Sequence, residues 1–357
     1  MSKIFLSFLC LYLFVNCSSE SDSDSTTSEN MYFPPVSGTN WETKSINDLG
    51  WKQEAVQPLL DYLELKHSKS FMILVNGKIV MENYFNGHSA TTNWYWASAG
   101  KTLTATLTGI AEQEGFINTN NKVSDYIGTA WTSETLAQEN LITCKHLLTM
   151  TSGIEDIANG DDVSPSKLTY KADAGTRWAY HNVYVKLQDV IAQATGQSWS
   201  NYFNAKLRDK IGMNGVWLPL DNNIVYYSTT RSMARFGLLM LNKGKWENTT
   251  ILNEAFFNSA TTTSQNINLG YGYLWWLNGK SSYHLPQSQL QFSGSIIPNG
   301  PNDMFMALGK NDQKIYVIPS KKMVVIRMGE AANTDNPSFA LSGFDNELWQ
   351  KISALYQ

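Results

Sequence analysis

Two hydrophobic periodicities, and where each one sits, limit what this chain can fold into. Residues 70–75 and 78–85 are apolar runs joined by Asn76-Gly77. That dipeptide is a strong hairpin signal, because tight turns between strands need positive φ at their central residues. Strand-type runs return only late, at Met304 to Leu308, Lys314 to Ile318 and Met323 to Met328. Between them, apolar residues recur at helical spacing through 101–114, 134–150, 183–195, 198–208 and 231–243. Residues 51–66, with Ala55, Val56, Leu59, Leu60 and Leu63 on one face, predict a first helix. Phe344, Leu348, Ile352 and Leu355 predict a last one. Strands at both ends with helices between imply one antiparallel sheet of sequence-distant strands, packed by the first and last helices. A mainly helical lobe, roughly residues 100–260, is inserted into it, and the fold class is α+β.

The N-terminus reads as an address. Met1-Ser2-Lys3 and the apolar run Ile4 to Val15 are too short to span a bilayer and form a secretory signal. Phe14-Val15-Asn16-Cys17 resembles the lipobox of bacterial lipoproteins. That resemblance implies that residues 1–17 end at a lipidated Cys17, and that the protein is held to the outer membrane or cell surface. A cleaved, unlipidated secreted product is the alternative. From Ser18 the composition turns to Ser, Thr, Asp and Glu, a solvated tether assigned to residues 18–44. Residues 45–357 remain as the folded domain. A net charge of −4 with no basic block argues against a nucleic-acid partner. With Cys10 and Cys17 in the signal, Cys144 is left alone and reads as a core thiol. His67, His88, His146, His181 and His284 are scattered without metal-ligand spacing, so no metal and no organic cofactor is called for.

Chemistry concentrates at Ser98-Ala99-Gly100-Lys101, which opens the helix 101–114. A serine hydroxyl needs a base within hydrogen-bond reach, and a lysine three residues on is that base if burial lowers its pKa. The helix start also offers unpaired backbone N–H groups for an oxyanion. Ser98 as a mere helix cap, with Lys101 solvated, is the competing reading. A second match, Ser164-Pro165-Ser166-Lys167, lies in a polar run and reads as loop. Farther on, Tyr180-His181-Asn182 projects Tyr180 and Asn182 to one side. A phenol beside a cationic lysine can relay the serine proton. Tyr84-Phe85-Asn86 and Tyr202-Phe203-Asn204 match the same pattern, but read as ordinary packing.

Ser98-Ala99-Gly100-Lys101, then His146-Leu147-Leu148-Thr149-Met150-Thr151-Ser152-Gly153-Ile154, then Gly175 to Asn182, resemble in order and spacing the class C β-lactamase-like serine hydrolases. Ser232 to Leu239 and Tyr271 to Trp276 are similar to later segments of that superfamily, which includes penicillin-binding DD-peptidases, esterases and nylon-oligomer hydrolases. The resemblance spans residues 45 to 355. It implies Ser98 as acylated nucleophile, Lys101 and Tyr180 as the proton-handling pair, and Asn182 as a polar substrate contact. The family's Lys-Thr-Gly strand is matched by Ala307-Leu308-Gly309, followed by Lys310, whose N–H would be the second oxyanion donor. The lost Lys and Thr hold a substrate carboxylate in penicillin-recognising members. Their absence is similar to the nylon-oligomer hydrolase branch. His181 replaces a smaller residue, and either narrows the cleft, donates to a substrate oxygen or simply packs. The expected partner is therefore a small ester, amide or peptide. DD-carboxypeptidase or β-lactamase activity, or a silent surface binding lipoprotein, stand as alternatives.

Overall fold

The computed structural model describes residues 30–158, 160–220, 223–333 and 343–357. The signal, Cys17 and the acidic stretch through residue 29 lie outside the described residues. The hairpin strands are β1 (Ser68–Val75) and β2 (Lys78–Tyr84), and the late strands are β3 (Trp276–Leu277), β4 (Phe305–Gly309), β5 (Gln313–Ile318) and β6 (Met323–Gly329). They form one antiparallel sheet in the order β2-β1-β6-β5-β4-β3. The early hairpin and the late strands thus meet at the β1–β6 pair, as the distribution of strand-type runs requires. Every residue of β5 and β6 is buried, which needs cover on both faces.

One layer of that cover is α1 (Val56–Leu65) against α4 (Gly343–Ser353); Tyr62 stacks on Phe344 at 5.8 Å. Asp345 of α4 reaches into the sheet and accepts from Lys314 Nζ (2.9 Å) and Tyr316 Oη (2.6 Å). The other layer begins with α3 (Thr230–Leu241), buried except at Arg231, which packs on β5 and β6. α2 (Lys101–Gln113) runs into the helical lobe and is buried on all sides from Lys101 to Ala111. Its threonines tolerate burial because their hydroxyls bond back along the helix, Thr106 to Thr102 O (2.9 Å) and Thr108 to Thr104 O (2.8 Å). Cys144 is buried and unbridged, and burial pushes its thiol up to about 12.

Three expectations are corrected. Residues 31–44 are part of the domain, not of a tether. Tyr32 N–H donates to Asn76 O (3.0 Å), Trp41 Nε1 to Gly77 O (2.7 Å), and Thr43 bridges Ile79 in parallel. The acidic composition ends at Asn30, and the aromatics after it bury apolar surface. Gly77, at φ +83°, makes room for that segment; a Cβ there would sit 1.8 Å from Tyr32 O. The helix expected over 134–150 is two short ones, Leu136–Glu139 and Cys144–Leu148. Thr135 and Thr143 each close a capping box, so the second helix restarts where a continuous one was expected. Finally, the middle of the chain holds strands that periodicity missed. Val216–Leu220 and Asn223–Ser228 pair with each other, and the latter pairs with Trp94–Tyr95.

Candidate active site

The Trp94–Tyr95 strand leads directly to the nucleophile candidate. Ala97 follows at φ +48°, a left-handed conformation that costs a non-glycine residue energy and occurs where a turn must aim the next side chain. Ser98 sits on the resulting 3₁₀ turn, Ala97–Gly100, which continues into α2. β4 closes against this turn from the sheet side. A Cβ on Gly309 would lie 2.5 Å from Trp96 O and 3.0 Å from Ala99 N, so only glycine lets the strand end approach the segment bearing Ser98. Ala307, Leu308 and Gly309 are buried and do not border the cavity beside Ser98; Lys310, the next residue, does. Gly309, read from the family resemblance as a substrate-contacting position, serves backbone packing between β4 and the Ser98 segment in this fold.

Lys101 stands one turn on from Ser98 and is 3 % exposed. Its Nζ donates to Ser98 Oγ (3.1 Å) and Asn182 Oδ1 (2.9 Å), and lies over the Tyr180 and Tyr184 rings at 4.9 and 4.5 Å. Burial lowers its pKa to about 7, with the Asp161 carboxylate pulling the other way. Asn182 is fixed in turn by Asn223, whose Oδ1 accepts from its Nδ2 at 2.8 Å. Tyr180 is half-buried, stacked on Trp276 (5.6 Å) with the Tyr271 ring edge-on at 6.2 Å. Burial drives its phenol further above the ordinary tyrosine range, while a hydrogen bond with Ser98 opposes that shift. The spacing pattern therefore brings Ser98, Lys101, Tyr180 and Asn182 around one cavity of about 340 Å³, with Lys310 on its wall. Tyr84 and Tyr202 are absent from that wall; they bond to Glu82 and Glu114 instead.

Other wall residues carried no signal in the sequence. Asp156 and Asp161 come from a polar loop, and Leu220, Asn223 and Val225 from the unforeseen strands. Arg177 holds Asp156 Oδ1 at 2.7 Å, while the buried Oδ2 has no hydrogen-bond partner among the described residues. His181 resolves into a cap and a donor. Its Nδ1 accepts from Val183 N–H (3.0 Å), which places the neutral ring's proton on Nε2, buried beside the cavity and facing the Gly160 backbone. Burial lowers its pKa, which favours that neutral form. Trp96, Trp178, Trp275 and Trp276 are core residues, and Trp276 acts on the site through its stacking on the Tyr180 ring and a side-chain hydrogen bond with the phenol.

The chain is similar to known proteins over most of its length. An uncharacterized protein of Alkalihalophilus pseudofirmus is 25% identical over 297 residues, 72% of this chain and 82% of that one. A provisionally named penicillin-binding protein of Bacillus subtilis is 29% identical over 175 residues, 44% of this chain and 43% of its own length. Among solved structures, one provisionally named 6-aminohexanoate-dimer hydrolase from Bacillus anthracis superposes with a TM-score of 0.70 at 20% identity, covering 92% of each chain. A class C beta-lactamase superposes at 0.63 with 17% identity, over 85% of this chain and 96% of that one. These likenesses carry the fold: an antiparallel sheet between helices with a helical lobe. The Beta-lactamase family model matches residues 66–339, a span that holds the Ser98 turn, Tyr180 and the closing strand, and the chain accordingly belongs to the beta-lactamase family of serine hydrolases.

Proposed function

We propose that the protein cleaves an ester or amide through an acyl-enzyme on Ser98. The observation that carries this is the 3.1 Å contact between Ser98 Oγ and the Nζ of a buried Lys101 whose pKa is lowered to about 7. Neutral Lys101 takes the Ser98 proton as Oγ attacks the carbonyl carbon. The Tyr180 phenol, kept protonated by burial, relays a proton to the leaving group. The backbone N–H groups of Ser98 and Lys310 hold the oxyanion, and Asn182 orients Lys101 and a substrate polar group. Water then releases the acyl group and regenerates the serine. Substrates without a carboxylate beside the scissile bond suit the cleft best, because the side chains of Ala307 and Leu308 supply no charge or hydroxyl to it. Secretion and attachment through a lipidated Cys17 belong to the same proposal and are supported by the signal and lipobox pattern.

Intact-mass analysis after a fluorophosphonate probe tests the core of this reading. One adduct on the wild-type protein and none on Ser98→Ala is expected; undiminished hydrolysis by the variant removes the mechanism. For location, Cys17→Ala should move the protein from the membrane fraction to the soluble one, and an unchanged distribution would exclude Cys17 as the anchor.

A further inference from the structure

A small three-stranded sheet adjoins the nucleophile, in the order Trp94–Tyr95, Asn223–Ser228, Val216–Leu220. Residues opposite one another in an antiparallel pair project to the same side, and side chains alternate along each strand. The pairs Val216–Tyr227, Leu218–Val225, Leu220–Asn223 and Tyr95–Tyr227 therefore share one face. The opposite face carries Trp217 and Tyr226, which pack with Phe203 in the core. Outward, the face is apolar and open: Val216 is 46% and Leu218 42% exposed. Inward, its Leu220, Asn223 and Val225 border the cavity that holds Ser98 and Lys101. Tyr95 lies three residues before Ser98, and its hydroxyl is occupied by Asn311 Nδ2 at 2.7 Å.

An apolar strip thus starts inside the catalytic cavity and runs out along the sheet. Folding does not require it, since the core lies on the other face, and exposed apolar patches carry a solubility cost that function commonly explains. From Leu220 to Val216 the strand rises about 13 Å, room for an extended chain of roughly eight to ten carbons. We propose that this strip binds an apolar arm of the substrate, so that the enzyme takes esters or amides bearing a medium to long alkyl or aryl-alkyl group. The proposal rests on the acyl-enzyme reading above for its chemistry. Its evidence, the continuity of strip and cavity, is separate.

The test measures kcat/KM for p-nitrophenyl alkanoates from two to ten carbons, and for acetates of alcohols of the same lengths, below micellar concentrations. Burying a methylene fully is worth about fourfold in affinity, and on a half-open strip about twofold. One series should therefore rise at least tenfold from four to ten carbons. Leu218→Asp should cut that ratio at least fivefold. Ile224→Asp, more exposed than Leu218 but on the opposite face as the partner of Pro219, should leave it unchanged. Flat series of both kinds, or a ratio untouched by Leu218→Asp, overturns the proposal. Sedimentation velocity supplies the rival outcome: a wild-type dimer dissociated by Leu218→Asp with the chain-length ratio intact would assign the face to a second copy. Calorimetry on Ser98→Ala separates the two readings. Decanamide should bind at least tenfold tighter than butanamide, and Leu218→Asp should erase the difference. Loss of that preference sinks the strip while leaving Ser98 chemistry standing; its retention in a protein whose Ser98 takes no fluorophosphonate sinks the chemistry and not the strip.

Discussion

Lys101 should give the protein two linked pH dependences. As a base it works only when neutral, and burial places its pKa at about 7. At pH 5 about one molecule in a hundred then carries a neutral Lys101, so kcat/KM for an uncharged ester should rise about tenfold per unit from pH 5 toward 7 and level off by about pH 8. Tyr180 adds no descending limb through pH 9, because burial raises its pKa. The same burial costs stability. An unfolded lysine keeps its proton to its ordinary value of 10.5, the folded one only to about 7. Between those values the unfolded state holds more protons, so stability rises with pH; below about 7 the cost is present in full, and above the unfolded value it is gone. The separation corresponds to about 5 kcal/mol. Lys101→Met, close in volume and uncharged, should be inactive yet more stable than wild type at pH 6 by urea denaturation, with the gap narrowing toward pH 10. A pH–rate profile flat from 5 to 8, or a stability gap that does not change with pH, would refute the assignment of Lys101 as a buried neutral base.

Gly309→Ala should lower kcat at least a hundredfold and reduce Tm, since its Cβ would press on Trp96 O and Ala99 N; near-normal activity would show that the strand end yields freely. Asn223→Ala leaves Asn182 Nδ2 without its partner and should cost about tenfold in kcat, less than Asn182→Ala, which also strips Lys101 of an acceptor; the reverse order in steady-state kinetics would break this chain of support. Nitrocefin should be turned over slowly relative to p-nitrophenyl butanoate in kcat/KM; efficient nitrocefin hydrolysis that collapses in Lys310→Ala would instead make Lys310 a carboxylate clamp and favour β-lactamase activity.

What could be read before the fold was known depended on range. Asn76-Gly77 marked the first hairpin because the turn geometry is local, and Gly77 does stand at positive φ. Ser98 and Lys101 were legible because three residues along a helix start are neighbours in any fold. Tyr180 and Asn182 needed the resemblance, since two other Tyr-x-Asn triplets look the same in sequence. The strands Val216–Leu220 and Asn223–Ser228 escaped because Pro219 lies inside the first and their outward face is open, which blurs alternation. Asp156 and Asp161 reach the cavity from a loop without periodicity, and no local pattern says where such a loop is laid. The break at Thr143 escaped because apolar spacing continues across it.

The charge balance of the cavity argues for a neutral substrate independently of the Ala307-Leu308-Gly309 strand. A carboxylate placed beside the scissile bond would be drawn by Lys310, which lies exposed on the wall, and repelled by Asp161 on the same cavity. Opposite charges on one wall act on such a carboxylate in opposite senses, so the repulsion offsets part of the attraction. Lys101 adds little to the attraction above pH 7, where it is mostly neutral. An anionic substrate therefore has a reduced Coulomb attraction to set against the loss of its own hydration. An uncharged ester or amide incurs no such loss, and its apolar arm has the Leu218–Val225 face on which to lie. Electrostatics and the apolar strip thus favour the same kind of molecule, for unrelated physical reasons.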